Sequence, residues 1–259
     1  MPFCKVKGVE ISYQESGQKS SSQKNIVFIH GAGGNAGRWI SQVEQIGQEH
    51  PEDYYVVAPD LPGHGQSGGE ACGQIFLYRE WVKEITEAMG LNNLVIVGHS
   101  MGGAIALDFA LKYPQLTTAL VIVSSGPRFE IDPERLEAYK RGEYTREWAR
   151  ASFAHSAPEH LVEKIFQEAH QSDPWARYLD FLACSRFHAE GLHNISAPTS
   201  IICGVEDINT PPQLSEYMAE NIKEVSLNII EDAAHQVMLE QPDVVTKLII
   251  NFIKDLQPL

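Results

Sequence analysis

Short apolar runs alternate with stretches of helical periodicity along most of this chain. The runs are Ile26–Ile29, Tyr54–Ala58, Leu94–Val97, Ala119–Val123, Ser200–Cys203 and Leu227–Ile230. They are rich in β-branched residues and bounded by Gly, Pro or Asp, as suits strands buried on both faces of a parallel sheet. Between them the apolar positions recur with a helical period over Arg38–Gln48, Phe76–Met89, Met101–Tyr113, Pro212–Asn221 and Asp243–Phe252. Alternating β and α elements predict a mostly parallel central sheet flanked by helices. Ahead of them, Phe3–Lys7 and Glu10–Glu15 read as a hairpin turning at Lys7-Gly8, and the polar segment Ser16–Lys24 reads as a surface loop.

The alternation stops between Pro127 and Ile195. This stretch carries Glu- and Arg-rich helical segments, ten aromatic residues from Phe129 to Phe187, and no clear strand. It predicts a helical cap inserted into an α/β core, with residues 1–126 and 196–259 forming the core and 127–195 the cap. Most of the aromatics are expected to pack the cap onto the core, and some to give the pocket an apolar lining.

Composition narrows the partners. With 259 residues and 43% hydrophobic content, a sizeable core is expected. The formal net charge of -14 argues against nucleic acid and anionic membrane as partners, and mildly against strongly anionic substrates such as acyl-CoA. Cys4, Cys72, Cys184 and Cys203 form neither a C-x-x-C pair nor a disulfide framework, so buried reduced thiols are expected. No signal peptide and no membrane span are legible, which favours the cytoplasm.

The densest chemical signal is the apolar strand Leu94–Val97 running into Gly98-His99-Ser100-Met101-Gly102 and then a helix. A G-x-S-x-G sequence in that strand–turn–helix context is the nucleophile elbow, in which a sharp turn lifts the serine hydroxyl clear of the sheet. Small neighbours are needed because the chain approaches itself closely. The N-terminus of the following helix offers free N–H groups to a developing negative charge. A second signal, His30-Gly31-Ala32-Gly33-Gly34, directly follows a strand. Its glycines leave backbone N–H groups open to an oxyanion, and its spacing fits neither G-x-G-x-x-G nor Walker A.

Serine needs a base, usually a histidine oriented by a carboxylate. The chain order Ser…Asp…His points downstream. Asp207 and His235 each lie just past a predicted strand, so both emerge at the sheet edge where Ser100 emerges. Glu206 and Asp232 compete as acids, but Glu206 would point elsewhere and Asp232 is too close to His235 to reach its ring. His99 is expected to pack or hydrogen-bond nearby and His64 to belong to a structured turn. His155, His160, His170, His188 and His193 are expected in surface or packing roles, with room for one in the pocket lining.

Taken together, the His30–Gly34 loop, Asp60-Leu61-Pro62-Gly63-His64-Gly65, the elbow, Gly204-Val205-Glu206-Asp207 with Thr210-Pro211-Pro212, and Ala234-His235 with Glu240-Gln241-Pro242 resemble the α/β-hydrolase superfamily in its esterase-like branch. The resemblance covers nearly the whole chain. It implies Ser100 as nucleophile, Asp207 as acid, His235 as base, and the N–H groups of Ala32 and Met101 as oxyanion donors, with no metal and no cofactor. It implies a serine hydrolase cleaving carboxylic esters of small, largely apolar substrates, acting as a monomer or small homo-oligomer. Dehalogenases and epoxide hydrolases of the fold use an aspartate where Ser100 stands. Carbon–carbon bond hydrolases of the fold often carry a tryptophan soon after the histidine and an asparagine before the nucleophile; here Gln236, Val237 and Met238 follow, and His99 precedes. Carbon–carbon hydrolysis by the same triad, a haloperoxidase side activity, and a small-molecule receptor that keeps the triad are the alternatives.

Overall fold

The computed structural model describes residues 1–20 and 24–256. The expected surface loop Ser16–Lys24 therefore lies partly outside the described residues. Among the described residues eight strands form one sheet: β1 (Phe3–Val6), β2 (Val9–Ser16), β3 (Lys24–Ile29), β4 (Tyr54–Pro59), β5 (Leu94–His99), β6 (Thr117–Val123), β7 (Thr199–Gly204) and β8 (Val225–Ile230). Their spatial order is β1-β2-β4-β3-β5-β6-β7-β8. β1 and β2 form the antiparallel hairpin at one edge, turning at Lys7-Gly8, and β2 pairs antiparallel with β4. Every pair from β4 to β8 is parallel.

Among the described residues ten helices accompany the sheet: α1 (Ile40–Glu49), α2 (Ile75–Ala88), α3 (Met101–Lys112), α4 (Pro133–Lys140), α5 (Arg146–Arg150), α6 (Glu159–Gln171), α7 (Pro174–Ser185), α8 (Pro212–Asn221), α9 (Val237–Glu240) and α10 (Pro242–Asp255). No helix among the described residues is long and apolar enough to cross a membrane.

Successive side chains of a strand face opposite sides, and the two cores divide accordingly. Ile26, Phe28, Val95 and Val97 pack with Val43 of α1 and Ile249 of α10. Val27, Ile29 and Ile96 pack with Val82 of α2, Phe109 of α3 and Met218 of α8. The central strands are thus apolar on both faces, which is why they read as continuous runs rather than alternating ones.

α4 to α7 lie between β6 and β7. The ends of this stretch meet: Arg128 and His188 form an isolated antiparallel bridge, and the Ala189 N–H donates to the Pro127 carbonyl at 2.7 Å. The absence of apolar runs there did not suggest that β-type pairing. Ala149, Phe153, Val162 and Ile165 form a small separate core within α5, α6 and the loop between them. Of the four free cysteines, Cys184 and Cys203 are buried, whereas Cys4 and Cys72 are only half-buried, a departure from the expected burial of all four.

Candidate active site

The turn from β5 into α3 holds Ser100 at φ 53° and ψ -119°. A non-glycine residue at such positive φ is strained and persists only where its surroundings impose it. Here the Ser100 N–H donates to the Val123 carbonyl at 3.0 Å, and the Ser125 hydroxyl donates to the Ser100 carbonyl at 2.7 Å. The flanking glycines are sterically obligatory. A Cβ on Gly98 would lie 2.1 Å from the Gly102 carbonyl oxygen, and one on Gly102 would lie 2.2 Å from the Ile29 carbonyl oxygen.

Three side chains from three loops meet at this turn. The Ser100 hydroxyl lies 3.0 Å from His235 Nε2, and His235 Nδ1 lies 3.0 Å from Asp207 Oδ2. Asp207 is held from both sides. Its Oδ1 accepts the N–H groups of Asn209 and Thr210, each at 2.9 Å, and its Oδ2 accepts the Thr210 hydroxyl at 2.8 Å. Burial alone would raise the Asp207 carboxyl; His235 and the Thr210 donors outweigh burial and bring it below its ordinary value. An ionised Asp207 requires a proton on Nδ1 and leaves the Nε2 lone pair facing the serine hydroxyl. This is the tautomer that can accept the serine proton.

The other acids lie apart. Glu206 turns away and accepts the His155 N–H at 2.9 Å, and Asp232 is a positive-φ turn residue. His99 donates from Nε2 to the His235 carbonyl at 2.8 Å, so it holds the backbone of that loop. Burial, with His235 next, pushes the His99 imidazole down to about 3. His30 behaves alike: burial lowers it to about 3, while its Nε2 accepts the Leu61 N–H at 3.1 Å.

The His30–Gly34 loop lies against the elbow, since a Cβ on Gly31 would be 3.1 Å from Ser100 Cβ. Ala32 and Ser100 line the same cavity. Among the described residues, neither the Ala32 nor the Met101 N–H is engaged with a backbone acceptor. Met101 is the first residue of α3, where no intrahelical partner exists. Two N–H groups are therefore free beside Ser100.

Asp180, on α7, was not legible as part of this site. It is fully buried, and its Oδ2 accepts the Gly33 N–H at 2.7 Å and meets His64 Nε2 at 2.8 Å, while the Tyr78 hydroxyl donates to Oδ1. His64 Nδ1 faces the Pro62 carbonyl at 3.0 Å. Both ring nitrogens of His64 thus face acceptors, which calls for the doubly protonated form. Burial opposes that charge, but Asp180 overcomes it and raises the His64 imidazole above its usual value. The sequence held only a partial signal: Asp180 stands at helical spacing from Ala176, Ala183 and Cys184, on a helix whose buried residues are these and Arg177, and a buried carboxylate requires donors. Asp180→Ala is expected to lower unfolding free energy by about 3–5 kcal/mol, because it leaves a buried imidazolium without its counter-ion. Urea denaturation at pH 7 measures this; a loss below about 1 kcal/mol would show that the network carries little.

The cavity over Ser100 has a volume of about 200 Å³. Phe129, Tyr139 and Phe181 supply apolar surface, with Tyr139 and Phe181 stacked at 4.2 Å between centroids. The lining is not apolar throughout, because Arg38, Arg135 and Arg177 also face it.

A serine, a histidine and an aspartate in hydrogen-bonded series at the carboxyl edge of a parallel sheet define the chemistry of a nucleophilic hydrolase. The chain belongs to the alpha/beta hydrolase family, whose model matches residues 26–248. It is a hydrolase of that family. It is 26% identical over 233 residues to (E)-2-((N-methylformamido)methylene)succinate hydrolase of Acinetobacter baylyi, covering 86% of this chain and 87% of the relative. It is also similar to a solved thermophilic esterase, at 28% identity and a TM-score of 0.81, covering 98% and 97% of the two chains. An N-acyl homoserine lactone degrading enzyme aligns at 27% identity and a TM-score of 0.80, covering 97% and 100%.

Proposed function

We propose that this protein is a carboxylic ester hydrolase working through an acyl-enzyme, with Ser100 as nucleophile, His235 as general base and acid, and Asp207 as the group that orients it. The observation that carries this reading is the unbroken series Ser100 Oγ–His235 Nε2, His235 Nδ1–Asp207 Oδ2, with both spacings at 3.0 Å. Ser100 attacks the ester carbonyl carbon as its proton passes to His235 Nε2. The carbonyl oxygen becomes an oxyanion and takes the free N–H groups of Ala32 and Met101. The imidazolium then protonates the departing alkoxide, and the acyl group remains on Ser100. Water, deprotonated by His235, attacks that acyl carbon and releases the acid.

In this reading residues 127–195 form a cap and the remainder the α/β core. The closed neck at Arg128 and His188 supports the division. Two of the similar solved structures are named for ester or lactone cleavage, which supports the choice of bond. A cavity of about 200 Å³ supports small substrates, being below the usual range for drug-sized ligands.

The test is a fluorophosphonate probe with mass spectrometry, run beside turnover of aryl esters of increasing acyl length and of a vinylogous diketone. Stoichiometric phosphonylation of Ser100 and turnover of the short esters are expected. Turnover confined to the diketone would replace this reading with carbon–carbon hydrolysis.

A further inference from the structure

We propose that the substrate carries a free carboxylate, and that Arg177 and Arg135 receive it while Ser100 attacks. The proposal rests on the ester-hydrolase reading of Ser100 and adds the chemical class of the substrate.

The chain has a formal net charge of -14, yet the cavity wall carries three guanidinium groups. Arg38 is neutralised by Glu168, whose carboxylate lies 2.9 Å from Arg38 Nε. Arg177 and Arg135 differ: among the described residues, neither has a carboxylate within ion-pair distance. Arg177 is 3% exposed. Its Nη1 donates to the Ala169 carbonyl and lies 3.4 Å from Ser172 Oγ, and its Nη2 lies 3.4 Å from the Gly142 carbonyl. All of these acceptors are neutral. Its buried Nε has no hydrogen-bond partner. The guanidinium sits over the Tyr144 ring at 5.2 Å from the centroid. Arg135 donates from Nε to the Tyr139 hydroxyl at 2.8 Å and lies over the Trp148 ring at 4.9 Å.

Asp173 and Asp180 act on the Arg177 guanidinium only from beyond ion-pair distance, and burial outweighs them. A buried charge without a directly paired counter-charge is costly, and a ligand anion that supplies the partner offsets that cost. The planar guanidinium fork matches a carboxylate in shape and donor count, and an aromatic floor helps hold it in place. The location fits the reaction. A Cβ on Gly33 would lie 3.2 Å from Arg177 Cγ, so the Arg177 stem packs on the residue next to Ala32. Two carboxylates, Glu130 and Asp132, also line the cavity, but both are exposed. With the acidic surface, they disfavour polyanions and leave a single carboxylate on a small molecule as the best match. The formal net charge of -14 argued mildly against strongly anionic substrates, but net charge does not report the field inside one cavity.

The test compares esters matched in length. Monoethyl succinate, glutarate and adipate place a carboxylate on the acyl side, and O-acyl glycolates place it on the alcohol side. Ethyl pentanoate and its neighbours serve as neutral references, with release followed by pH-stat. In the wild-type protein, kcat/KM for the best charged ester is expected to exceed that of its neutral match by at least tenfold, in one series or the other. The ratio of the two should fall towards one in R177M and in R135M; being a ratio within one protein, it is independent of the fraction folded. Neutral esters that match or exceed both charged series in the wild-type protein would overturn the proposal. The binding step is also read apart from catalysis, by calorimetry of glutaramate, which carries one carboxylate, and glutaramide on Ser100→Ala. Glutaramate is expected to bind at least tenfold more tightly than glutaramide. If that holds while no ester is turned over, the carboxylate site stands and the ester reading fails; equal binding of the two overturns the site.

Discussion

Ser100→Ala is expected to lower turnover of short-chain aryl esters by about 10⁶-fold, the scale of loss when a nucleophile is removed from a triad that acts as a unit. The substitution deletes one oxygen and one hydrogen bond, to His235 Nε2 at 3.0 Å. It leaves the backbone unchanged, since the φ of 53° is imposed by the close approach of Gly98 and Gly102 to neighbouring carbonyls and not by the serine side chain. Alanine sits in that conformation at about the same cost as serine, so the melting temperature should move little. On the proposed mechanism a slow background should remain, because the Ala32 and Met101 N–H groups would still be in place to stabilise an oxyanion formed by attack of water. Single-turnover kinetics beside a circular-dichroism melt measure both quantities. A rate loss below about 100-fold with an intact fold would remove Ser100 from the nucleophile role.

Asp207→Asn is expected to cost about 10⁴-fold in kcat, and the hydrogen bonds show why. The oxygen at the Oδ1 position accepts two backbone N–H groups, from Asn209 and Thr210, so an amide must place its oxygen there. Its NH₂ group then occupies the Oδ2 position and faces His235 Nδ1 at 3.0 Å. Two N–H groups cannot face each other, so the imidazole moves its proton to Nε2. A protonated Nε2 cannot accept the Ser100 proton. The geometry survives and the base is lost.

The same variant has a pH signature. The folded Asp207 carboxyl lies below its ordinary value of 3.8. Its contribution to stability is therefore present above that value and is lost as pH falls through the folded value. The stability deficit of Asp207→Asn should be greatest near neutrality and shrink below about pH 4. Urea midpoints at pH 7 and pH 3.5 measure it; a deficit that grows on acidification would contradict the sign.

Much of the fold was legible because it is written in local periodicity. All six apolar runs became strands, each extended by a residue or more once neighbouring strands supplied hydrogen-bond partners. Polar Lys24 opens β3, and Thr117 and Thr118 open β6, for that reason. The helix read from Arg38 begins instead with a 3-10 turn over Ala36–Trp39, capped by the Asn35 side chain, and becomes α-helical at Ile40. α9, with four residues, is too short to show a period.

The amino-acid sequence by itself determined the alternating architecture, the sharp turn at Ser100 and the strand-end positions of Asp207 and His235. These depend on neighbours within a few residues, or on the rule that parallel strands end at one edge. Only the tertiary structure decided what surrounds them. Asp180 reaches Gly33 across 147 positions of the chain. Arg177 and Arg135 stand without carboxylate partners because of how α4 and α7 fold over the cavity. A side chain's charge partner and burial are properties of its neighbours in space, and in a segment without strand register no local pattern reports them.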